Sequence, residues 1–357
     1  MLKLSPHFLC LTVLVILMGC QPPSPIDRGQ EGERTPEEEA IAPSPTPSES
    51  QYEIPQQEIT ATQPWKILVV VKDTFNPETE EHGDLYQEQV WEGAIQAGED
   101  FDVEVELLPN SCHTCVEDQI RAIAERIEKE DINGIVIMVT DSIRVAPVIE
   151  KAIARDIPVV AMDTPLNSDK ILTFVVFDNV AGGKVMGEWL VEQLGGEGRV
   201  LILDGALEQQ NAIDRREGFL AGLGRGNITI LDTQSAQWSQ EEAKEITRGW
   251  LQQHTDINAI VAANYAMSIG AQEAVAEANL SDQIIVTGFD AMPPALKSIE
   301  EGAIAATIDQ TPDRQARLSI QLLLRHLENG ETFPPRVIMP DIPLIDRDTI
   351  KQRKAAE

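Results

Sequence analysis

From Trp65 onward, short unbroken apolar runs alternate with segments whose apolar residues recur at helical spacing. Lys66–Val71, Val103–Leu108, Gly134–Val139 and Ile157–Ala161 read as strands, and Tyr86–Gly98, Val116–Glu130 and Val145–Arg155 as the helices between them. After Asp178 the order repeats. Helices are expected at Gly182–Leu194, Asn211–Gly222, Gln240–His254 and Ser268–Ala278, and strands at Arg199–Leu203, Ile228–Leu231, Ile257–Ala262 and Gln283–Thr287. A strand that is apolar along its whole length is buried on both faces, so the alternation predicts parallel sheets covered by helices. Two such series predict an α/β chain of two doubly wound lobes, and the length beyond Trp65 exceeds one single-core domain.

Polar residues cluster where these strands end. Asp163 follows Ile157–Ala161, Asn264 follows Ile257–Ala262, and Gly288-Phe289-Asp290 follows Ile284–Val286. Parallel sheets present their ligand groups at the carboxyl ends of the strands, so these side chains are expected to converge on one crevice. The pattern indicates binding before catalysis. There is no G-x-S-x-G elbow, no Walker loop and no H-E-x-x-H, and no histidine stands beside a candidate nucleophile. Gly195-Gly196-Glu197-Gly198 lies between a helix and a strand, the wrong order for cradling phosphate, and reads as a helix cap and turn. Asp163 and Asp290 could also be a glycosidase pair, but a fold of this kind rarely hosts that chemistry.

The amino-terminal residues indicate where the cleft works. Met1–Cys20 has one early Lys3, an apolar core from Phe8 to Met18, and Leu17-Met18-Gly19-Cys20 at its end. This describes a signal peptide too short to span a membrane as a stable helix, and its end resembles a bacterial lipobox with Cys20 as the acylated residue. Residues 21–63 are rich in Pro, Glu, Ser and Thr, which predicts a disordered tether. The 357 residues carry a net charge of −31, which argues against nucleic acid and anionic lipid as partners. Of four cysteines, Cys10 falls in the signal and Cys20 at the lipobox, leaving Cys112 and Cys115.

Cys112-His113-Thr114-Cys115 follows a strand and opens a helix. In an oxidising compartment the simplest account is a disulfide that staples the helix start, with His113 facing solvent. A thioredoxin-like redox pair and an incomplete metal set are the competing readings, and no metal is expected.

Taken together, these segments resemble a family. In order and spacing, Asn76-Pro77, Thr140-Asp141-Ser142, Ile157–Asp163, Asp178–Gly183, Arg215–Phe219, Asn264, Gly288–Asp290 and Ala305–Gln310 resemble the periplasmic sugar-binding proteins of the ribose-binding type. These are also related to the ligand domains of lactose-repressor-like regulators. A lipobox in place of a helix-turn-helix before Lys66 favours the transport protein. The resemblance implies a periplasmic binding protein fold with the amino-terminal lobe at 64–177 plus 311–340 and the carboxy-terminal lobe at 178–310 plus 341–357. Chain crossings are implied near Phe177–Asn179, Gln310–Pro312 and Pro340–Ile342.

By the same resemblance, Asp163 and Asp290 accept hydrogen bonds from ligand hydroxyls, Arg215 donates to ligand oxygens, and Asn264 and Gln310 do both. Trp238 stacks on a sugar face, Tyr86 forms a second aromatic wall, and Asn76 joins the set. Asp178-Asn179 reads as crossover and helix start. Alternative local readings are helix capping for Asp163, Asp290 and Asn264, a lobe-edge cover for Trp238, and a surface ion pair for Arg215.

The chain departs from the family at Thr164, where arginine is frequent, at apolar Met138, and in the acidic loop Glu78–Leu85. Asp163 and Asp290 are then underneutralised unless Lys72 turns inward, so an amino sugar or polyol stands beside a plain pentose or hexose as the implied ligand. The expected protein is a monomeric, lipid-anchored, extracytoplasmic solute-binding protein without cofactor or enzymatic activity. It hands its ligand to an ABC permease by closing two lobes. The alternatives are a ligand-sensing subunit of a membrane receptor and, further off, a thiol oxidoreductase using Cys112 and Cys115.

Overall fold

The computed structural model describes residues 53–76 and 81–356. The signal segment, Cys20 and the tether up to residue 52 lie outside the described residues. The chain opens with β1 (Lys66–Val70), the short β2 (Phe75–Asn76) and β3 (Glu81–His82), α1 (Leu85–Phe101), β4 (Glu104–Leu108) and α2 (Val116–Ile127). It continues through β5 (Gly134–Ile137), α3 (Ala146–Ile153), β6 (Val159–Met162) and β7 (Thr173–Val176). The second series is α4 (Asn179–Gln193), β8 (Glu197–Asp204), α5 (Gln210–Leu223), β9 (Asn227–Ser235), α6 (Gln240–Gln253), β10 (Ala259–Ala262) and α7 (Tyr265–Glu277). It ends with β11 (Ile285–Thr287), α8 (Pro293–Glu301), β12 (Ala306–Ile308), α9 (Pro312–Asn329), β13 (Arg336–Ile338), β14 (Leu344–Asp346) and α10 (Arg347–Ala356).

Two six-stranded sheets result, in the orders β13-β7-β6-β5-β1-β4 and β14-β12-β11-β10-β8-β9. Every pairing in the first is parallel. The second is parallel except at its edge, where β14 runs antiparallel to β12. The unbroken apolar strands explain the layering. Along β1, Ile67 and Val69 face one core with Val90, Phe101 and Leu323, while Leu68 and Val70 face another with Ile123 and Ile149. Because successive strand residues point to opposite faces, a strand apolar at every position needs helices on both sides. The chain passes from the first sheet to the second after Val176, returns after Ile308, and crosses again after Ile338.

Several elements escape the periodicity. Strands β7 and β12 to β14 are three or four residues long, too short to carry a period of their own. The segment from Glu53 to Gln63 also differs from expectation, since it is ordered along the first lobe rather than part of a free tether. Ile59 donates its backbone N–H to Gln321 Oε1 at 2.6 Å and accepts from Gln321 Nε2 at 3.1 Å, and Thr62 N–H donates to Glu328 Oε1 at 2.7 Å. Ile54, Ile59 and Ala61 pack on the core beside α9. The average composition of 21–63 hides these apolar residues, and the partner of Ile59, Gln321, lies 262 positions away.

Helices α4 and α5 approach backbone to backbone, and this contact positions the site. A Cβ on Gly218 would lie 2.3 Å from the carbonyl oxygen of Val180, and one on Gly222 would lie 2.4 Å from that of Lys184. Only glycine permits this spacing, which sets Arg215, one turn before Gly218, beneath the cleft. Gly218→Ala is expected to push the helices apart at a cost of about 1–3 kcal/mol. Thermal or denaturant unfolding would measure it, and an unchanged midpoint would show that the spacing is not tight.

Candidate functional site: a charged cavity between the lobes

The carboxyl ends of both sheets face a cavity of about 30 Å³ lined by residues of both lobes. From the first lobe come Lys72, Asp84, Tyr86, Gln87, His113 and Asp163. The second lobe supplies Gln209, Asn211, Arg215, Trp238, Asn264, Asp290 and Gln310. That is room for about one or two water molecules, so a ring-sized ligand enters this site only when the lobes move apart.

Asp163 sits just after β6 with a positive φ of 61°. Lys72, at the end of β1, donates from Nζ to Asp163 Oδ2 at 2.7 Å and to Thr164 Oγ1 at 2.5 Å. Tyr86 O–H donates to Asp163 Oδ1 at 3.1 Å. Burial pushes the Asp163 carboxyl up, but the charge and hydrogen bond of Lys72, with the charge of Arg215, outweigh it and leave it below the ordinary carboxylate value. Lys72 therefore turns inward and supplies the charge that Thr164 cannot.

Arg215 is 2% exposed and makes the second set of contacts. Its Nε donates to Asn179 Oδ1 at 2.8 Å, and its terminal nitrogens donate to the Ala263 carbonyl at 2.6 Å, to Gln310 Oε1 at 2.8 Å and to Asp290 Oδ1 at 3.4 Å. The guanidinium lies 4.3 Å from the centre of the Phe289 ring. Gln310 Nε2 also donates to Asp290. Despite these partners, burial pushes Asp290 up to about 6, with Arg215 opposing and the Asp84 charge adding to the rise. The two pocket aspartates are thus unequally compensated.

Asn264 caps a helix and also lines the cavity. Its Oδ1 accepts the Met267 N–H at 2.8 Å as the cap of α7, and its Nδ2 donates to the Trp238 carbonyl at 3.3 Å while the residue lines the cavity. Trp238 is buried, packs against Gly205, and donates from Nε1 to Gln209 Oε1 at 3.2 Å. Asp178 caps α4 by accepting from Ala181 N–H, and Asn179 holds Arg215 without lining the cavity. Asn76 forms β2 opposite Glu81, and its side chain lies outside the described residues.

His113 is a correction to the sequence reading. The ring expected to face solvent is largely covered, with Nε2 3.0 Å from Asp84 Oδ2 and 3.6 Å from Asp73 Oδ2. It lies within the short Cys112–Cys115 disulfide loop, whose second cysteine is the N-cap of α2. The ligand atoms of Asp73, Asp84 and His113 lie within 4.8 Å of one another, a spacing open to a divalent cation, but the direct His113–Asp84 contact satisfies both groups without one. Gln209, Asn211 and Gln87 also escaped the sequence reading, because amides in loops and first helical turns carry no periodic signal.

The lobes meet through these polar groups. Gln209 accepts from Lys72 Nζ at 3.3 Å and donates to the His113 carbonyl at 3.1 Å. Asn211 Nδ2 donates to Asp163 Oδ2 at 3.3 Å, and Leu85 N–H donates to the Tyr265 hydroxyl at 3.2 Å.

Two parallel-sheet lobes, joined by chain crossings and facing each other across a polar cavity, define a cleft-type binding protein. A family model described as a periplasmic binding protein domain matches residues 78–332, and the chain belongs to that family. It is 31% identical to the ribose import binding protein RbsB of Escherichia coli, over 49% of this chain and 59% of that one. It is 32% identical to the D-ribose/D-allose-binding protein of Pseudomonas aeruginosa, over 60% of this chain and 68% of that one. The match thus spans about three fifths of the first of these relatives. A periplasmic solute-binding protein of an ABC transporter from Actinobacillus succinogenes, solved with bound D-allose, superposes with a TM-score of 0.74. It is 28% identical, and the match covers 81% of this chain and all of that one.

A carboxyl raised from 3.8 to about 6 in the fold costs stability once it must ionise. The folded state binds this proton more tightly than the unfolded chain, so the penalty is absent below the unfolded value and complete above about 6. Asp290→Asn, which mimics the protonated acid, is expected to stabilise the ligand-free protein near pH 7 by about 3 kcal/mol, with the gain vanishing near pH 4. Urea unfolding at both pH values would test this, and an equal effect at both would refute the assignment.

Proposed function

We propose that this protein captures a single-ring sugar between its lobes in the extracytoplasmic space and delivers it to an ABC-type permease. The observation that carries the proposal is the cavity itself. Asp163 and Asp290 offer carboxylate oxygens, Asn211 and Arg215 offer donors, Gln310 offers both, and Trp238 and Tyr86 add aromatic walls. Vicinal hydroxyls both donate and accept, so a site with charged acceptors opposite amide and guanidinium donors suits them. Ribose and allose, bound by the relatives, set the size class. Binding works by hinge closure, because a ligand that touches both lobes favours the state in which they meet.

The lipobox-like Leu17–Cys20 supports a lipid anchor at Cys20. No helix among the described residues is long and apolar enough to cross a membrane. The protein acts as a monomer and as a binder rather than an enzyme, a reading supported by the engagement of the cavity carboxylates by Lys72, Arg215 and His113.

Thermal unfolding of the full-length protein with D-ribose, D-allose, polyols and amino sugars tests this reading. A ligand at about 100 times its dissociation constant should add roughly 2.7 kcal/mol of stability. The shift should disappear in Asp163→Asn and Asp290→Asn. A shift that survives both changes would place the ligand elsewhere, and no shift with any sugar would reject a sugar as the ligand.

A further inference from the structure

The loop Cys112-His113-Thr114-Cys115 is closed by a disulfide over only two intervening residues. A cross-link over so short a loop removes little chain entropy, so its value lies in what it positions. Asn110 Nδ2 donates to the carbonyls of both Cys112 and Cys115, at 2.8 and 3.1 Å, and the Asn110 N–H donates to the Asp73 carbonyl. One turn into α2, Gln119 Nε2 donates to the carbonyls of Val71 and Met138 at the ends of β1 and β5. The ring is therefore fastened to the carboxyl edge of the first sheet, and His113 is the side chain it presents to the cavity.

Each carboxylate lining the cavity has a basic partner. Lys72 lies against Asp163, Arg215 against Asp290 and His113 against Asp84. Of these three side-chain types, only imidazole ordinarily titrates near neutral pH. Facing the ring are the carboxylates of Asp84 and Asp73 and the Lys72 ammonium, while from the second lobe the Gln209 amide donates to the His113 backbone carbonyl.

We propose that His113, held by the Cys112–Cys115 ring, is a specificity-determining residue of this cavity, whose imidazolium cancels Asp84 and so selects an uncharged sugar over an aminated one. The inference rests on the sugar-binding reading above and adds the residue that sets ligand charge. Burial by itself pulls the imidazole down, but the hydrogen bond to Asp84 and the charges of Asp84 and Asp73 raise it above its ordinary value. Burial likewise pushes Asp84 up, yet His113 and the backbone N–H groups of Tyr86 and Gln87 bring it below its own. The two partners shift in the directions of one ion pair. As pH rises through the imidazole's raised value the cation is lost and Asp84 stands uncompensated. A neutral sugar then binds more weakly, whereas a cationic one finds a vacant partner.

The test is calorimetric titration of the full-length protein with D-ribose, D-allose and D-glucose, and with D-glucosamine as the cationic counterpart of glucose. Relative affinities are compared at one pH of about 6.5, and the best neutral sugar is then followed from about pH 6 to about pH 9. His113→Gln should weaken neutral sugars roughly tenfold, move the ratio toward glucosamine by at least as much, and abolish the alkaline weakening. His113→Arg, with a fixed cation, should keep the neutral preference and also lack the alkaline weakening. Cys112→Ser with Cys115→Ser should shift selectivity in the same direction as His113→Gln, with melting curves confirming that every variant is folded. If His113→Gln keeps both the parent's selectivity and its pH profile, the inference is overturned while the sugar-binding reading stands. A ring variant with unchanged selectivity would overturn the positioning role of the disulfide. A parent that binds none of these sugars would overturn the reading and the inference together.

Discussion

Arg215 is the interaction on which the rest of the site depends. A guanidinium removed from water costs several kcal/mol unless its donors are satisfied and its charge is balanced. Here it donates to Asn179, to the Ala263 carbonyl after β10, to Asp290 after β11 and to Gln310 after β12, and one face lies on Phe289. Those partners come from a crossover and from three adjacent strand ends of one sheet. A single side chain thereby holds together the floor of the second lobe. It reaches that position only because the glycines of α4 and α5 let two helix backbones touch.

Backbone strain also occurs after strands that border the cavity. Asp163, Trp238 and Asp290 all have positive φ, at 61°, 65° and 84°. Aspartate tolerates this region better than most residues, but a tryptophan there is costly, and such conformations persist only where their surroundings hold them. The left-handed turn lets the residue after a strand depart from the sheet's alternation. Convergence of these side chains is in this sense built from backbone that local preference alone would not choose.

The lobes differ in how they neutralise the cavity. The second uses a buried arginine spread over several acceptors, and the first uses Lys72 with Asp163 and His113 with Asp84. Lys72 compensates for the threonine at position 164, and Thr164 itself joins the network by donating to Asp163. Gln209 links these arrangements, touching Lys72, His113 and Trp238. Opening the lobes would break its contacts with the first lobe, so closure and cavity electrostatics are coupled through one amide.

Much of the fold was legible because burial leaves a periodic trace. Val69 and Leu68 must both be apolar when each faces a different helix layer, and a run such as Lys66–Val71 records that directly. Positions immediately after such runs, including Asp163, Asn264 and Asp290, were legible for the same topological reason. The inward turn of Lys72, the covering of His113, the cross-lobe contacts of Gln209 and Asn211, and the docking of Ile59 on Gln321 were not. Each depends on partners between about 30 and 262 residues away, and sequence pattern reports only local periodicity. The sequence by itself determined which strands are buried on both faces and which polar residues follow them. Only the tertiary structure decided which charges meet, because ion pairing depends on distances of a few ångströms between segments whose separation the chain does not encode locally.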